Sequence, residues 1–175
     1  AGRALQEVRV SAGRGRAEGV GINRRRPTPK GIRQLPNPEG PVDPELRVIR
    51  FADLRGRPVA AIVNFATHPT TLGVHVAEVS ADYPGRMRRV VEGAYGGELS
   101  VHFTQGACGD VKAAAIGEDG NFKEGEEPDI DRLGRILAGA AIQTLESCQP
   151  LRSLGLRAAL HRAPFRYRGP PRAQA

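Results

Sequence analysis

The chain reads as an α/β domain, a mixed β-sheet with flanking helices, and as an incomplete one. Three observations predict this. Apolar runs with strand character alternate with two stretches of helical period, in the order strand, long loop, strand, strand, helix, strand, helix, strand. Polar and ionisable residues gather just past the ends of the apolar runs, where an α/β sheet carries its chemistry. The 175 residues are 39% hydrophobic and 5% aromatic, with no Trp, which is sparse material for a closed core. The length suits one domain and is too short for two.

Glu7–Ser11 alternates with period two and predicts the first strand. Residues 13–44 are rich in Gly, Arg and Pro, lack a helical period and read as a long irregular loop. Leu46–Phe51 and Pro58–Phe65 flank the turn Asp53–Arg57 and predict a β-hairpin. The unbroken apolar run of its second strand implies burial on both faces. Tyr83, Met87, Val90, Val91 and Ala94 form one helical stripe, with Ser80 or Asp82 as N-cap and Gly96-Gly97 as stop.

Leu99–Thr104 is a short strand leading into the small-residue loop Gln105–Gly109. Residues 117–129 are acidic and Gly-rich, as an exposed loop would be, and Asp129–Cys148 carries a second apolar helical stripe. Leu154–His161 reads as a last strand. The domain therefore spans 1–163, with 164–175 a frayed tail.

The formal net charge is +7, carried by 23 Arg and 3 Lys against 19 acidic residues. The cations cluster tightly only at Arg24-Arg25-Arg26, and no helix-turn-helix, zinc-knuckle or RNA-binding aromatic motif accompanies them, so nucleic acid is not the expected partner. Cys108 and Cys148 are far apart with no Cys-x-x-Cys spacing, which demands neither a disulfide nor a thiolate metal site. No apolar run reaches the roughly 18–20 residues of a membrane span. The first residues lack both Met and a signal-peptide core, and read as a cut end.

His68 is the leading candidate for chemistry. It follows the strand ending at Phe65, and Pro69 holds it extended. A neutral imidazole is a good zinc ligand, and catalytic zinc takes about three protein ligands plus water. A loop histidine satisfied by a backbone carbonyl has the same signature. His75 and His161 read as solvated, and His102 as a strand residue.

The loop Gln105-Gly106-Ala107-Cys108-Gly109-Asp110 is small enough for a ligand to approach closely. Its amides suit a developing oxyanion. Cys108 as a nucleophile, with His68 or His102 as base, is the other chemical reading, although nothing in the sequence depresses the thiol pKa. A tight turn closed by Asp110 is the plain one. Arg24 suits a carboxylate or carbonyl partner, or simply a solvated loop. Asp82 reads as a helix cap or as a pocket carboxylate.

Five motifs are in register with a known family: Asn23-Arg24, Val42-Asp43-Pro44-Glu45, Asn64-Phe65-Ala66-Thr67-His68-Pro69, Ser80-Ala81-Asp82-Tyr83-Pro84-Gly85, and Gln105 to Asp110. In order and spacing they resemble the neutral/alkaline non-lysosomal ceramidase family, in its shorter bacterial form, over the middle of its N-terminal catalytic domain. The resemblance implies a zinc-dependent amidohydrolase that splits the N-acyl amide of ceramide into fatty acid and sphingosine. It implies a metal-ligand role for His68 and a catalytic role for Arg24. Gln105, Gly106, Asp110 and Asp82 would line the substrate pocket.

The implied cofactor is Zn2+, held in the complete domain. The implied partners are a lipid or other small amide substrate and the remainder of the catalytic domain. The family's other zinc ligands, an upstream histidine and a downstream acidic residue and tyrosine, have no counterpart here, so this piece is expected to be inactive alone. Lys112 stands where ceramidases proper place an active-site serine, two residues after the Gly-Asp pair. That keeps open a hydrolase of another amide or a glycolipid on the same scaffold. A non-catalytic basic module for anionic lipid or nucleic acid is the remaining alternative.

Overall fold

Two periodicities in the chain become one layer of sheet and one layer of helix. The computed structural model describes residues 5–152, 155 and 157–164. Its strands are β1 (Arg9–Arg16), β2 (Gly21–Asn23), β3 (Arg26–Thr28), β4 (Gly31–Arg33), β5 (Glu45–Ala52), β6 (Pro58–Phe65), β7 (Ser100–Gln105), β8 (Val111–Ala113) and β9 (Gln149–Pro150). Its helices are α1 (Asp82–Ala94) and α2 (Glu127–Glu146). The main sheet has the order β7-β6-β5-β1-β9; β6 and β7 are parallel and the other neighbours antiparallel. This is the expected mixed α/β arrangement.

The β5–β6 hairpin forms as predicted. The Asp53 carboxylate accepts the N–H groups of Arg55 and Arg57, both at 2.9 Å, and Gly56 supplies a φ of +86°. Leu46 and Val48 of β5, Ala61, Val63 and Phe65 of β6 and Val101 of β7 then face one side. Both helices cover that side. Tyr83, Met87 and Val91 of α1 meet Leu133, Leu137, Ala141 and Leu145 of α2 over the sheet. The opposite face stays open, so β6 is buried on one face and not two: Ala60, Ile62 and Asn64 are half-buried. Helices on one side leave the other side of the sheet to solvent.

Several boundaries depart from expectation. The first strand runs on to Arg16, because Gly13 and Gly15 lie flat beneath α2; a Cβ on Gly15 would stand 2.1 Å from Thr144 Oγ1. Residues 13–44 are not one irregular loop, since they hold the second half of β1 and all of β2, β3 and β4. β2 pairs with β8, and β3 with β4. Helix α2 begins two residues early, where Glu126 and Asp129 form a reciprocal capping box.

Helix α1 has no side-chain cap, and Asp82 is its first residue, at a φ of +50°. Residues 155 and 157–161 form no strand; the last strand is the short β9 beside β1. The predicted tail from 165 onward lies outside the described residues. Among the described residues no helix is long and apolar enough to cross a membrane.

The two helices pack closely at Gly134. A Cβ there would lie 2.6 Å from Arg86 Cβ and 3.1 Å from the Met87 nitrogen. Overpacking this crossing has a defined cost: Gly134→Val should lower unfolding stability by about 1–3 kcal/mol, read as a lower urea midpoint at unchanged m-value.

Candidate functional site

The parallel pairing of β6 with β7 brings two strand exits to the same edge. Residues 66–72 leave β6 there, and residues 106–110 leave β7. The loops are stitched together at once: Gly106 N–H donates to the Phe65 carbonyl at 2.9 Å. The Gln105 side-chain amide donates to the carbonyls of Phe65 and Thr67, at 3.3 and 3.1 Å. Gly106 also packs flat on Ala66, whose Cβ would stand 3.0 Å from any Cβ added to it.

His68 is half-buried at this junction. Its Nδ1 lies 2.8 Å from the Val111 carbonyl oxygen. A carbonyl only accepts, so Nδ1 carries the proton and Nε2 carries the lone pair. The same carbonyl accepts the His68 backbone N–H at 3.2 Å. Across the gap, Cys108 Sγ lies 3.5 Å from His68 Nε2. The backbone-satisfied histidine foreseen from sequence is thus what Nδ1 makes of this residue, and Nε2 is left free of any backbone partner. His102 is exposed on β7, with its Nε2 against Ser100. His75 is exposed and paired with Glu124 at 2.7 Å.

Arg24 braces the second loop. Its backbone N–H donates to the Asp110 carbonyl at 2.8 Å, and its Nη2 to the Gly109 carbonyl at 2.9 Å. Its Nε is buried and has no hydrogen-bond partner among the described residues. Asp110 does not face open space either, since its carboxylate accepts the Asn23 amide at 3.1 Å.

Asn23, named in a motif but given no role there, is a hub. It is 1% exposed, donates to the Pro41 carbonyl at 3.0 Å and accepts the Arg25 N–H at 2.8 Å. Its backbone carbonyl takes the Asn37 N–H at 2.8 Å. Only its neighbour Arg24 was assigned a role, although an Asn before a charged run is a usual loop-bonding residue.

Asp82 is committed as fully. Its carboxylate accepts Thr71 N–H at 2.8 Å, Thr71 Oγ1–H at 2.6 Å, Leu72 N–H at 3.4 Å and Tyr83 N–H at 2.6 Å. It shapes the 70–72 loop and has little left for a ligand. Tyr83, fully buried, donates its hydroxyl to the Thr67 carbonyl at 2.5 Å and packs edge-on against Phe103. Burial first, then the nearby Asp82 and Cys108, pushes the phenol well above its usual range, so it stays a donor.

Beside His68 runs a groove of about 470 Å³ lined in part by Thr70, Thr71, Leu72, Lys112 and Glu124. Lys112 Nζ sits 4.7 Å from the centre of the Phe122 ring. The 117–129 segment is therefore not a purely solvated loop. Phe122 is half-buried under Lys112, and Gly125 N–H reaches the Thr71 carbonyl at 3.0 Å.

Removing the hub should cost stability and loosen the site together. Asn23→Ala should destabilise by about 1–3 kcal/mol, because Asp110 and Arg25 lose a buried partner. Amide hydrogen exchange at residues 37 and 40 should accelerate beyond what the global loss explains.

The fold is similar to that of two solved ceramidases. One is a crystal structure of neutral ceramidase from Pseudomonas aeruginosa, at a TM-score of 0.66 and 18% sequence identity, matched over 83% of this chain and 24% of that one. The other is a ceramidase complexed with C2, at a TM-score of 0.67 and 20% identity, matched over 83% and 23%. The chain thus spans about a quarter of the length of those structures. No family model matches the chain, and no curated protein sequence matches it.

Proposed function

We propose that this chain forms one wall of the active site of a zinc-dependent amidohydrolase that cleaves the N-acyl amide of ceramide or a related lipid. The observation that carries the reading is His68. Its Nδ1–H is fixed by the Val111 carbonyl, and its Nε2 lone pair is directed away from that bond. That is how metal-binding histidines are oriented. The fold similarity to neutral ceramidases agrees with the reading.

The donor set fits zinc in kind, since a neutral imidazole at a loop beside parallel strand ends suits it. The number falls short: among the described residues no group of three or more His, Cys, Asp or Glu converges. The remaining donors therefore belong outside these residues, and the chain alone is inactive. When bound, zinc would lower the pKa of a water molecule and polarise the amide carbonyl.

The other tasks fall to the protein's own groups. Arg24 fixes the loop through Gly109, and its unpaired Nε–H is a donor held for a substrate oxygen. Gln105 and Tyr83 hold the Thr67 carbonyl from two sides and so set the peptide that carries His68. Gly106 keeps the loop low against Ala66, and Asp110 is steadied by Asn23. Asp82 keeps the groove wall at Thr71 in place.

The test uses these residues within a polypeptide that also supplies the missing donors. His68→Ala should lose the bound zinc and at least about 100-fold in ceramide hydrolysis, as expected when a catalytic zinc site loses one of its three ligands. A variant that keeps both metal and activity overturns the reading.

Lys112 favours a second reading, another amide or a glycolipid as substrate, because it presents a cation over Phe122 at the groove edge. Lys112→Ser should shift the kcat/KM ratio towards ceramide and away from anionic amides. An unchanged ratio would remove Lys112 from substrate choice.

A further inference from the structure

We propose that the β3–β4 ribbon is a docking finger for a lipid bilayer that carries anionic headgroups. Such docking is independent of the hydrolase chemistry, since the ribbon would meet the same surface whichever amide the site cuts.

The ribbon carries charge that nothing answers. Between Asn23 and Glu39 the chain has five cations, Arg24, Arg25, Arg26, Lys30 and Arg33, and no carboxylate. None of the five belongs to an ion pair among the described residues. The β5–β6 turn differs: there Arg57 meets Asp53 at 2.9 Å. Register adds to the surplus, because Arg26 of β3 stands directly opposite Arg33 of β4. Like charges so placed repel and weaken a two-stranded ribbon. An anionic surface against the pair removes that cost.

Beside the charge lies an apolar pair. The next cross-strand partners are Pro27 and Ile32, on the opposite face of the ribbon from Arg26 and Arg33. Both are exposed, Ile32 by 68%. The ribbon joins no other sheet, and at its turn a Cβ on Gly31 would meet nothing within 4 Å. Its tip therefore stands clear of the rest of the chain. Apolar side chains that enter the acyl boundary while cations meet the headgroups make an interfacial anchor. The long arginine stems let the charges stay at headgroup level while the apolar face dips deeper. Nucleic acid would suit the cations but not Ile32, and residues 24–38 hold no aromatic side chain on which a base could stack.

The ribbon is also rooted at the site. Its two ends are tied together: the Asn37 N–H donates to the Asn23 carbonyl at 2.8 Å, and the Asn37 side-chain amide to the Arg25 carbonyl at 2.9 Å. Just before β3, Arg24 holds the Asp110 and Gly109 carbonyls at 2.8 and 2.9 Å. A bilayer gripped by the ribbon is thereby kept at a fixed place relative to the loop beside His68.

The test is co-sedimentation of the 175-residue chain with vesicles of phosphatidylcholine containing about one-third phosphatidylglycerol, against vesicles of phosphatidylcholine alone. The chain should pellet with the anionic vesicles only, and release as salt is raised. Arg26→Gln with Arg33→Gln should weaken binding about 25-fold, since each cation at such a surface contributes about fivefold. Ile32→Ser should weaken it about tenfold through the apolar area it no longer buries. Arg55→Gln with Arg135→Gln removes the same net charge from two other exposed positions and should change binding by less than about threefold. Should the Arg26 and Arg33 double variant unfold, Lys30→Gln at the turn decides, with an expected loss of about fivefold. Absence of binding to the anionic vesicles at low salt overturns the proposal. Equal losses in the two double variants make the binding a matter of overall charge and overturn it as well. So does tighter binding to a DNA duplex than to vesicles, indifferent to Ile32→Ser, which makes nucleic acid the partner. None of these results bears on zinc at His68, and a failed His68→Ala test leaves the docking result standing.

Discussion

Everything at the site depends on β6 and β7 running in the same direction. Had β7 returned antiparallel, as the other neighbours in the main sheet do, residues 106–110 would lie at the far end from His68. The parallel step is made possible by α1, a helical crossover of the length such a connection needs. Two strands then end together, and hydrogen bonds from Gln105 and Gly106 to carbonyls at the end of β6 lock the ends in register. From that edge the polar residues have a common place to point.

The second constraint is that the site is braced from outside the main sheet. β8 is a short strand, and its partner β2 belongs to the early part of the chain. Through that pairing Val111 faces Asn23, and Arg24 reaches the backbone of Gly109. Few of these interactions are large individually. Their effect is to fix the tautomer of His68 and the height of the Cys108 loop at once. Chemistry by positioned donors depends more on that fixity than on any single bond energy.

The sequence made the periodic parts of this molecule legible. The runs Leu46–Phe51 and Pro58–Phe65 on either side of the turn Asp53–Arg57 located the hairpin, and the apolar stripes of both helices located their buried faces. Residues 13–44 defeated the same approach, because strands of three residues containing Gly or Pro have no period to detect. Their pairings, such as Asn23 with Val111, are tertiary facts that join distant residues. The end of the chain misled in the opposite way: its apolar residues looked like a strand, but the described ones, 155 and 157–161, form none, and β1 takes the short β9 as its second neighbour.

The site was legible in part for the same reason. His68 stood out because Pro69 marks a strand exit. The sequence offered either His68 or His102 as the imidazole beside Cys108, and only the fold shows that it is His68. Asp82 looked like a cap, and its true work, holding Thr71 and Leu72, needed the fold to be visible.

That work of Asp82 has a wider meaning. It is the first residue of α1, it adopts a left-handed backbone that an aspartate adopts at some cost, and its carboxylate collects four donors. The groove wall and the helix start are thus one object. Neither can be ordered before the other, so the wall should appear late in folding, in the same cooperative step that docks α1 on the sheet. A chain that has folded its helix has, by that act, also built the rim of the groove beside His68.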